Sequence, residues 1–340
     1  MGNESETRKC SDNKNNTFVT KKKPVNKKNA KIPDTFQLSL NIDFNFEYFI
    51  IHELSNDRIG ILSKLFLYIY SLNTFKQIDI IKMQLPKNSA FKLFGEEKHY
   101  EDDTKKDFLE LYNNDIVIWS RNLILFYKLT NKGYECYQTI KSNYIINSIY
   151  ELKNKNLITY GSFGLNIYSK KKNNYNLLEE HSIEGEVINI IEKNENSLII
   201  IKRNKNSYNR KFILSLYDIE EEEDTIKYDG TEYYNESPKF AMKNNYFVFN
   251  FKNECIILDK SKLSLKNKFT DINFFGDFFG DFILIYDDKN IIIKIGEYKD
   301  GKINICKSFP FYVDNIIKLS NGNLLYIEKN QIKIINCIRN

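Results

Sequence analysis

The chain has 340 residues, of which 42% are hydrophobic and 14% aromatic, and its formal net charge is +5. That much apolar material can fill a large hydrophobic core, so the composition excludes a wholly disordered chain. The five cysteines are scattered and include no CxxC pair, which argues against a disulfide scaffold and indicates reduced thiols in the cytosol or nucleus. The sequence has no run of about 18 uninterrupted apolar residues, which argues against a membrane-spanning helix.

Residues 1–32 form a polar, Asn- and Lys-rich tail. We expect it to be disordered, because it cannot bury enough apolar surface to offset the entropy of ordering. The tail carries nine Lys or Arg and three acidic residues, so its net charge is +6 and the rest of the chain sums to −1. A body so close to neutral argues against a broadly basic nucleic-acid-binding domain. Contact with a nucleic acid or an anionic membrane is therefore expected only through the tail.

Two local features of the tail are candidate interaction sites. A cluster of lysines is typical of a nuclear import signal or of a contact with an anionic surface. Gly2 is a candidate for acylation and Cys10 for a second lipid, but the acylation pattern requires Ser or Thr at the sixth position, where this chain has Glu6. The unanchored tail is the favoured interpretation. The lysines of the cluster are Lys21, Lys22, Lys23, Lys27 and Lys28.

Short apolar segments dominate the chain after the tail. From Phe36 onward, runs of four to eight Ile, Leu, Phe, Tyr and Val residues alternate with turns rich in Asn, Lys, Asp and Gly. Helical periodicity is nearly absent, and runs of this length between turn residues are typical of β-strands. The sequence therefore predicts an all-β domain over residues 33–340.

A hairpin pattern, L-x-N-x-x-[IL], recurs along this domain. A strand ends in Leu, a tight turn containing Asn follows, and the next strand begins with Ile or Leu. We expect the Asn to adopt the left-handed conformation that such turns use, and the flanking aliphatic residues to face one core. The four copies are Leu54–Ile59, Leu111–Ile116, Leu152–Leu157 and Leu319–Leu324.

The repeating unit is about 40 residues long, the usual length of a four-stranded propeller blade. Laid out by this unit, the chain contains seven copies. Residues 84–106, rich in Lys, Glu and Asp, are expected to form an extra loop. The first strands of the copies are expected near residues 49, 108, 146, 187, 238, 272 and 313.

The two ends of the domain are each incomplete. The last copy has three strands and finishes with Ile332–Ile338, whereas the alternating strand at residues 36–42 belongs to no copy. Because an unpaired strand edge exposes backbone groups, the economical arrangement pairs these two strands. The sequence thus predicts a single seven-bladed β-propeller whose last blade is completed by the N-terminal strand. A two-sheet sandwich also accommodates many short strands but does not predict an orphan strand at each end.

These features resemble the WD40-like repeat propellers, in the degenerate form found in AT-rich protist genomes. Third strands end in Ile167-Tyr168-Ser169 and Leu216-Tyr217-Asp218, at the place of the family's terminal Trp-Asp. No Gly-His or Trp-Asp dipeptide is present, and the single tryptophan, Trp119, is expected in the core of a second strand. The resemblance covers residues 36–340 and implies a protein–protein scaffold without catalysis in the propeller itself.

The sequence contains no standard catalytic, nucleotide-binding or metal-binding motif, so we predict no catalytic residue, no cofactor and no metal site. The histidines His52, His99 and His181 are too few and too dispersed for a metal triad and are expected to be structural or exposed. The segment Gly161–Gly164 is expected to be a turn in which glycine supplies positive φ.

Two further segments have a chemical and a structural interpretation. The tandem Phe274–Asp277 and Phe278–Asp281 is similar to a kinase D-F-G element, but a buried strand leading into a glycine turn is favoured. The acidic run Glu220–Asp224 could bind a cation, a basic partner or the tail, but a solvated loop is favoured because consecutive charges point in different directions.

Three functional hypotheses follow. The leading one is a non-catalytic scaffold or adaptor, cytosolic or nuclear, whose propeller faces dock partner proteins within a complex. The second is an adaptor recruited to a membrane surface or to the nucleus through the basic tail. The third is a propeller enzyme with a site at the channel centre, which requires converging titratable side chains.

Overall fold

The structure is a computed structural model, and within the residues that it describes every regular element is a β-strand. The all-β prediction is therefore confirmed. No helix long and apolar enough to cross a membrane occurs in the described part of the chain. The predicted tail and all but the last residue of the predicted 84–106 loop lie outside it. The described residues are 35–43, 50–63, 66–83, 106–162, 164–203, 211–232, 239–242, 246–251, 254–270, 273–277, 282–287, 292–310, 315–320, 323–328 and 331–338.

One compact unit comprises the described residues within 50–203 and 213–226, and we call it the four-sheet unit. It contains three four-stranded sheets and most of a fourth, each with its strands in sequence order. The strands are β2 (Ile50–Leu54), β3 (Arg58–Leu62), β4 (Phe66–Ser71), β5 (Gln77–Lys82), β6 (Lys106–Glu110), β7 (Ile116–Ser120), β8 (Leu123–Thr130), β9 (Gly133–Lys141), β10 (Ile146–Glu151), β11 (Leu157–Gly161), β12 (Gly164–Lys171), β13 (Asn174–Ser182), β14 (Glu186–Glu192), β15 (Ser197–Arg203), β16 (Lys211–Asp218) and β17 (Glu223–Glu232).

The other compact unit comprises the described residues within 35–43, 211–212 and 227–338, and we call it the three-sheet unit. Its sheets are β18–β21, β22–β25 and a sheet in the order β1-β28-β27-β26. The strands are β1 (Thr35–Asp43), β18 (Lys239–Met242), β19 (Tyr246–Phe251), β20 (Glu254–Asp259), β21 (Leu265–Thr270), β22 (Asn273–Asp277), β23 (Phe282–Asp287), β24 (Ile292–Lys299), β25 (Lys302–Pro310), β26 (Asn315–Lys318), β27 (Leu324–Glu328) and β28 (Gln331–Ile338).

The N-terminal strand completes the last sheet. Strand β1 pairs antiparallel with β28, and the register places Phe36 opposite Cys337 and Ile42 opposite Ile332. With this strand in place, the described residues form seven four-stranded antiparallel sheets, the blades of a seven-bladed β-propeller. The predicted completion of the last blade by the N-terminal strand is confirmed.

The first strands of the sheets lie close to the predicted starts, none more than two residues away. Within each unit, first strands of successive sheets pack together, as β2 does with β6 and β18 with β22. The extent of the domain, residues 33–340, stays a prediction. The first strands begin at Ile50, Lys106, Ile146, Glu186, Lys239, Asn273 and Asn315.

The aliphatic residues of the hairpin pattern are buried, but they do not face one common core. Leu54 of the first sheet packs in the same cluster as Ile116 of the second, whereas Leu111 of the second sheet packs with Leu157 of the third. In both cases the leucine that precedes the first turn of one sheet packs with the aliphatic residue that follows the first turn of the next sheet. The expectation of one core was wrong because the apolar layers lie between successive sheets.

The structure also gives the positions of the single tryptophan and of the described cysteines. Trp119 lies in the second strand β7 and is 3% exposed, so its predicted core position is confirmed. Among the described cysteines, Cys136, Cys255 and Cys306 are free thiols.

Candidate docking face

The first and third turns of each sheet in the four-sheet unit lie at the same end, because the chain reverses direction with every antiparallel strand. These turns form a surface that we call the hairpin-turn face. Its first turns are residues 55–57, 111–115, 152–156 and 193–196, and its third turns are residues 72–76, 131–132, 172–173 and 219–222.

Buried carboxylates join these turns across neighbouring sheets. Each is the last residue of a first strand and is less than 10% exposed: Glu110, Glu151 and Glu192. Each places its Oε2 atom against a backbone N–H in the first turn of the preceding sheet. The donors are Ser55, Tyr112 at 2.8 Å and Lys153 at 3.1 Å.

These contacts hold the hairpin-turn face in a fixed arrangement. A carboxylate buried without partners would be strongly unfavourable, whereas each hydrogen bond to a charged group contributes about 1.5–3 kcal/mol. At the first contact Arg58 adds a second anchor, because its Nη2 atom donates to Glu110 Oε1 at 2.6 Å. The sequence analysis missed these glutamates, although an acidic residue directly precedes the Leu of the pattern at Glu53-Leu54, Glu110-Leu111 and Glu151-Leu152.

The asparagine of the hairpin pattern has the predicted conformation in only one described copy. Asn56 is left-handed, with φ of 57°, which confirms the expectation for the first hairpin. In the second and third hairpins the left-handed residue is the next one, Asn114 at 66° and Lys155 at 73°. The expectation was therefore wrong for Asn113 and Asn154.

The reason is the hydrogen bond that the asparagine side chain makes. Asn113 Oδ1 accepts from the Asp115 N–H at 3.3 Å, and Asn154 Oδ1 accepts from the Asn156 N–H at 3.0 Å. Such a side-chain turn lets asparagine order the loop without itself taking positive φ. Asn321 of the fourth copy lies outside the described residues.

Charge on the hairpin-turn face is segregated by sheet. The turns of the third sheet and the strand residues that flank its third turn, residues 152–156 and 169–174, hold five lysines and no acidic residue. The corresponding segments of the fourth sheet, residues 193–196 and 218–223, hold six acidic residues and one lysine. The face therefore places a positive sheet beside a negative one.

The two described histidines take structural roles. His52 Nε2 lies 2.7 Å from Asp107 Oδ1, and its ring packs edge-on against Phe108. His181, 3% exposed, places Nδ1 2.9 Å from the Tyr217 hydroxyl, and so links β13 to β16 of the next sheet. No group of three His, Cys, Asp or Glu side chains able to hold a metal occurs among the described residues, and His99 lies outside them.

A second polar network lies at the opposite end of the first strands. Asn147 Nδ2 donates to Glu186 Oε1 at 3.1 Å and to the Val187 carbonyl at 2.7 Å. Arg203 Nε donates to Glu186 Oε2 at 3.0 Å. The buried Asn147 amide and Glu186 carboxylate and the half-buried Arg203 guanidinium hydrogen-bond to one another between the third and fourth sheets, so their arrangement is that of a structural contact.

Glycine at the third sheet's second turn has two different reasons. Gly164 has φ of 136°, as predicted for this turn. Gly161 does not have positive φ and is required by close approach alone, because a Cβ there would lie 2.0 Å from the Ile145 carbonyl oxygen. Close approach also applies at Gly164, where a Cβ would lie 2.1 Å from the His181 carbonyl oxygen.

Two further segments had both a chemical and a structural interpretation in the sequence: the Phe-Phe-Gly-Asp tandem and the acidic run. Gly276 lies inside β22, opposite Leu284 at a register shift, so the expected glycine turn is wrong at that position; residues 278–281 lie outside the described residues. In the acidic run, Glu220 to Glu223 are exposed, as expected of a solvated loop, whereas Asp224 forms an ion pair with Lys202.

The predicted tail sites lie outside the described residues. Their roles in nuclear import, in contact with an anionic surface or in lipidation stay predictions. The residues concerned are Lys21, Lys22, Lys23, Lys27, Lys28, Gly2 and Cys10.

Comparison with known proteins finds similarity in structure but not in sequence. No protein-family model matches the chain, and no curated protein matches it. Among solved structures, the WD40 domain of Toxoplasma gondii coronin is 10% identical with a TM-score of 0.56, covering 91% of this chain and 87% of that one. The β-propeller domain of Cps50 (Swd1) from Myceliophteria thermophila is 10% identical with a TM-score of 0.57, covering 90% of this chain and 100% of the other.

A third similar structure is BBS1N in complex with ARL6DN. It is 10% identical with a TM-score of 0.60, and the match covers 89% of this chain and 97% of that chain. At such low identity these likenesses establish the fold and not the activity. Together with the seven four-stranded sheets, they confirm the predicted resemblance: the chain has the fold of a WD40-like, seven-bladed β-propeller.

Proposed function

We propose that this protein is a non-catalytic binding platform whose hairpin-turn face docks a partner protein. The observation that carries the proposal is the row of carboxylates Glu110, Glu151 and Glu192, which fix successive turns against each other. A surface whose loops are already ordered loses little conformational entropy on binding, and this favours recognition of another protein. The structural likeness to a propeller solved in complex with ARL6DN supports a role in assembly.

Site-specific cross-linking tests the proposal. A photoreactive residue in place of Lys132, which is exposed in the third turn of the second sheet, reports partners at the hairpin-turn face. A photoreactive residue in place of Asn143, which is exposed between β9 and β10, reports partners at the opposite end of the sheet. In cells of the native organism, we expect one protein to be cross-linked in stoichiometric yield from position 132 and not from position 143. Equal yields from both positions, or no protein adduct from position 132, would contradict the proposal.

A second candidate function is recruitment through the tail to a membrane surface or to the nucleus. It is favoured by the charge distribution, because residues 1–32 hold a net charge of +6 while the rest of the chain is close to neutral. Glutamine in place of Lys21, Lys22, Lys23, Lys27 and Lys28 in the full chain should then make a fluorescently tagged protein diffuse. An unchanged distribution would rule this function out.

The same assay separates a lipid anchor from charge alone. If Gly2 and Cys10 carry lipids, Gly2→Ala and Cys10→Ser should release the protein from membranes while the lysines remain. If only the lysines matter, these two variants should be distributed as the unmodified chain is.

A further inference from the structure

Positive charge is concentrated on one sheet of the hairpin-turn face. Two turns of the β10–β13 sheet and the adjoining end of β12 contribute it, and all belong to the four-sheet unit. Adjacent strands lie about 4.8 Å apart, so two turns separated by two strand spacings span roughly 10–15 Å. We call these residues the lysine cluster: Lys153, Lys155, Lys170, Lys171 and Lys172.

Part of the cluster is held in place by neighbouring side chains. Lys155 Nζ lies 3.4 Å from the centre of the Tyr112 ring, and Lys170 Nζ lies 3.4 Å from Asp115 Oδ2. The first contact is a cation–π interaction and leaves the ammonium charge uncompensated. Tyr112 is itself 41% exposed, so it offers an apolar surface beside the charges.

Other members of the cluster are oriented to solvent. Lys171 and Lys172 are exposed, and no ion pair joins either of them to another described residue. The Lys153 side chain is 67% exposed, with its Nζ 3.9 Å from the buried Glu192 carboxylate. The cluster therefore presents several ammonium groups whose charge is not neutralised locally.

The neighbouring sheet limits what can bind. Exposed Glu195 and Glu220–Glu223 lie in the turns of the β14–β17 sheet, on the same face. A nucleic acid duplex or a lipid surface extends well beyond about 15 Å, so it would bring its phosphates against these glutamates. A short acidic peptide avoids this repulsion, because four or five extended residues at about 3.3 Å each match the length of the cluster.

We propose that the lysine cluster docks an acidic segment, rich in Asp and Glu, of a partner protein. This inference rests on the proposed function and gives the chemistry of its partner. Lysine presents a compact charge that needs no fixed bidentate geometry, so the segment is recognised by its charge density and not by one residue. The exposed Tyr112 ring contacts the aliphatic part of the segment.

The test uses the full chain and a fluorescent peptide with six consecutive acidic residues, compared with its Gln/Asn counterpart. Lys171→Glu with Lys172→Glu reverses two charges in the cluster. Lys299→Glu with Lys302→Glu is the matched control, since these exposed lysines lie across the β24–β25 turn in the three-sheet unit. All proteins retain the tail, so any contribution from its lysines is common to them. We expect fluorescence anisotropy to show roughly tenfold weaker binding for the first variant and less than about twofold change for the control.

Other outcomes overturn the inference. Equal affinity of both variants for the acidic peptide, or no preference over the Gln/Asn peptide, would show that the cluster does not select acidic segments. Tighter binding of duplex DNA or of phosphatidylserine vesicles, lost in the Lys171/Lys172 variant, would assign the cluster to a different partner. Cross-linking from position 132 is independent of this charge test, so the platform proposal survives if only the peptide fails to bind.

Discussion

The glutamate at the end of a first strand decides how a hairpin turn is held. Glu151 lies in the third sheet and is 6% exposed, yet its Oε2 atom accepts from the Tyr112 N–H in the second sheet. A buried carboxylate is stable only where donors surround it. The same position in the second and fourth sheets makes the equivalent contact. One residue type therefore provides both the order within the face and the link between sheets.

Removing one such carboxylate should weaken the fold. Glu151→Ala leaves the Tyr112 N–H without its acceptor, and we expect a loss of about 1–3 kcal/mol in the free energy of unfolding, measured by urea denaturation. Glu151→Gln keeps an acceptor oxygen and should lose less. Glu135→Ala is the control, because Glu135 is exposed in β9, and surface changes of this kind stay within about 0.5 kcal/mol. Equal losses for Glu151→Ala and Glu135→Ala would show that the carboxylate is not a structural link.

Local patterns explain why the elements could be predicted. Alternating apolar residues and turn residues act within a few positions, so the strands, the hairpins and the orphan strand at residues 36–42 could all be read from the sequence. The carboxylate contacts could not, because Glu110 meets a turn 55 residues earlier. The left-handed residue in the Asn113 and Asn154 turns was displaced by one position because the asparagine side chain replaces a backbone contact.

The pairing of β1 with β28 carries the stability of the last sheet. Residues 35–43 are far from residues 331–338 in sequence, and β1 is the only described strand of that sheet that comes from the N-terminal end. Proline removes a backbone N–H, and along the edge strand β1 only every second N–H points at β28, so two consecutive prolines are needed to ensure that one ladder hydrogen bond is lost. We therefore expect the double variant Asn41→Pro with Ile42→Pro, opposite Lys333 and Ile332, to lower the melting temperature by several degrees and to speed proteolysis of β26–β28.

Asn41→Ala with Ile42→Val is the matched control for this prediction, because it changes the side chains at the same two positions and keeps both N–H groups. It should behave close to the unmodified protein. If the proline variant and this control melt at the same temperature, β1 contributes no more to the last sheet than an unpaired segment would.

Net charge alone conceals the charge arrangement of the molecule. Outside the tail the chain sums to −1, which led to the expectation that a nucleic acid or an anionic membrane is contacted only through the tail. The structure instead brings Lys153 and Lys155 together with Lys170–Lys172 on one sheet, next to the exposed Glu220–Glu223 of another. These groups are separated in sequence by other strands, so only the fold shows that they share a face. Local fields of this kind, and not the net charge, select partners.

Buried tyrosines make the folded molecule sensitive to alkaline pH. Burial, helped by nearby Glu192, raises the pKa of Tyr150 to about 12. Burial, helped by Glu222 and Asp224, raises the pKa of Tyr217 to about 12 as well. Tyrosine in an unfolded chain ionises near pH 10, at roughly its unperturbed pKa. Between about pH 10 and pH 12 the unfolded state has therefore lost protons that the folded state retains, which favours unfolding.

Because of these two tyrosines, the free energy of unfolding should fall as the pH rises from about 10 to 12. Urea denaturation followed by circular dichroism at several pH values measures this fall, and the tyrosinate absorbance near 295 nm should rise together with unfolding. Tyr150→Phe removes one of the ionising groups, so its stability should decline less steeply over the same interval, while its stability at neutral pH gives the reference. A free energy of unfolding that does not change up to pH 12, or an equally steep decline in Tyr150→Phe, would show that ionisation of the buried tyrosines does not cause the loss of stability at alkaline pH.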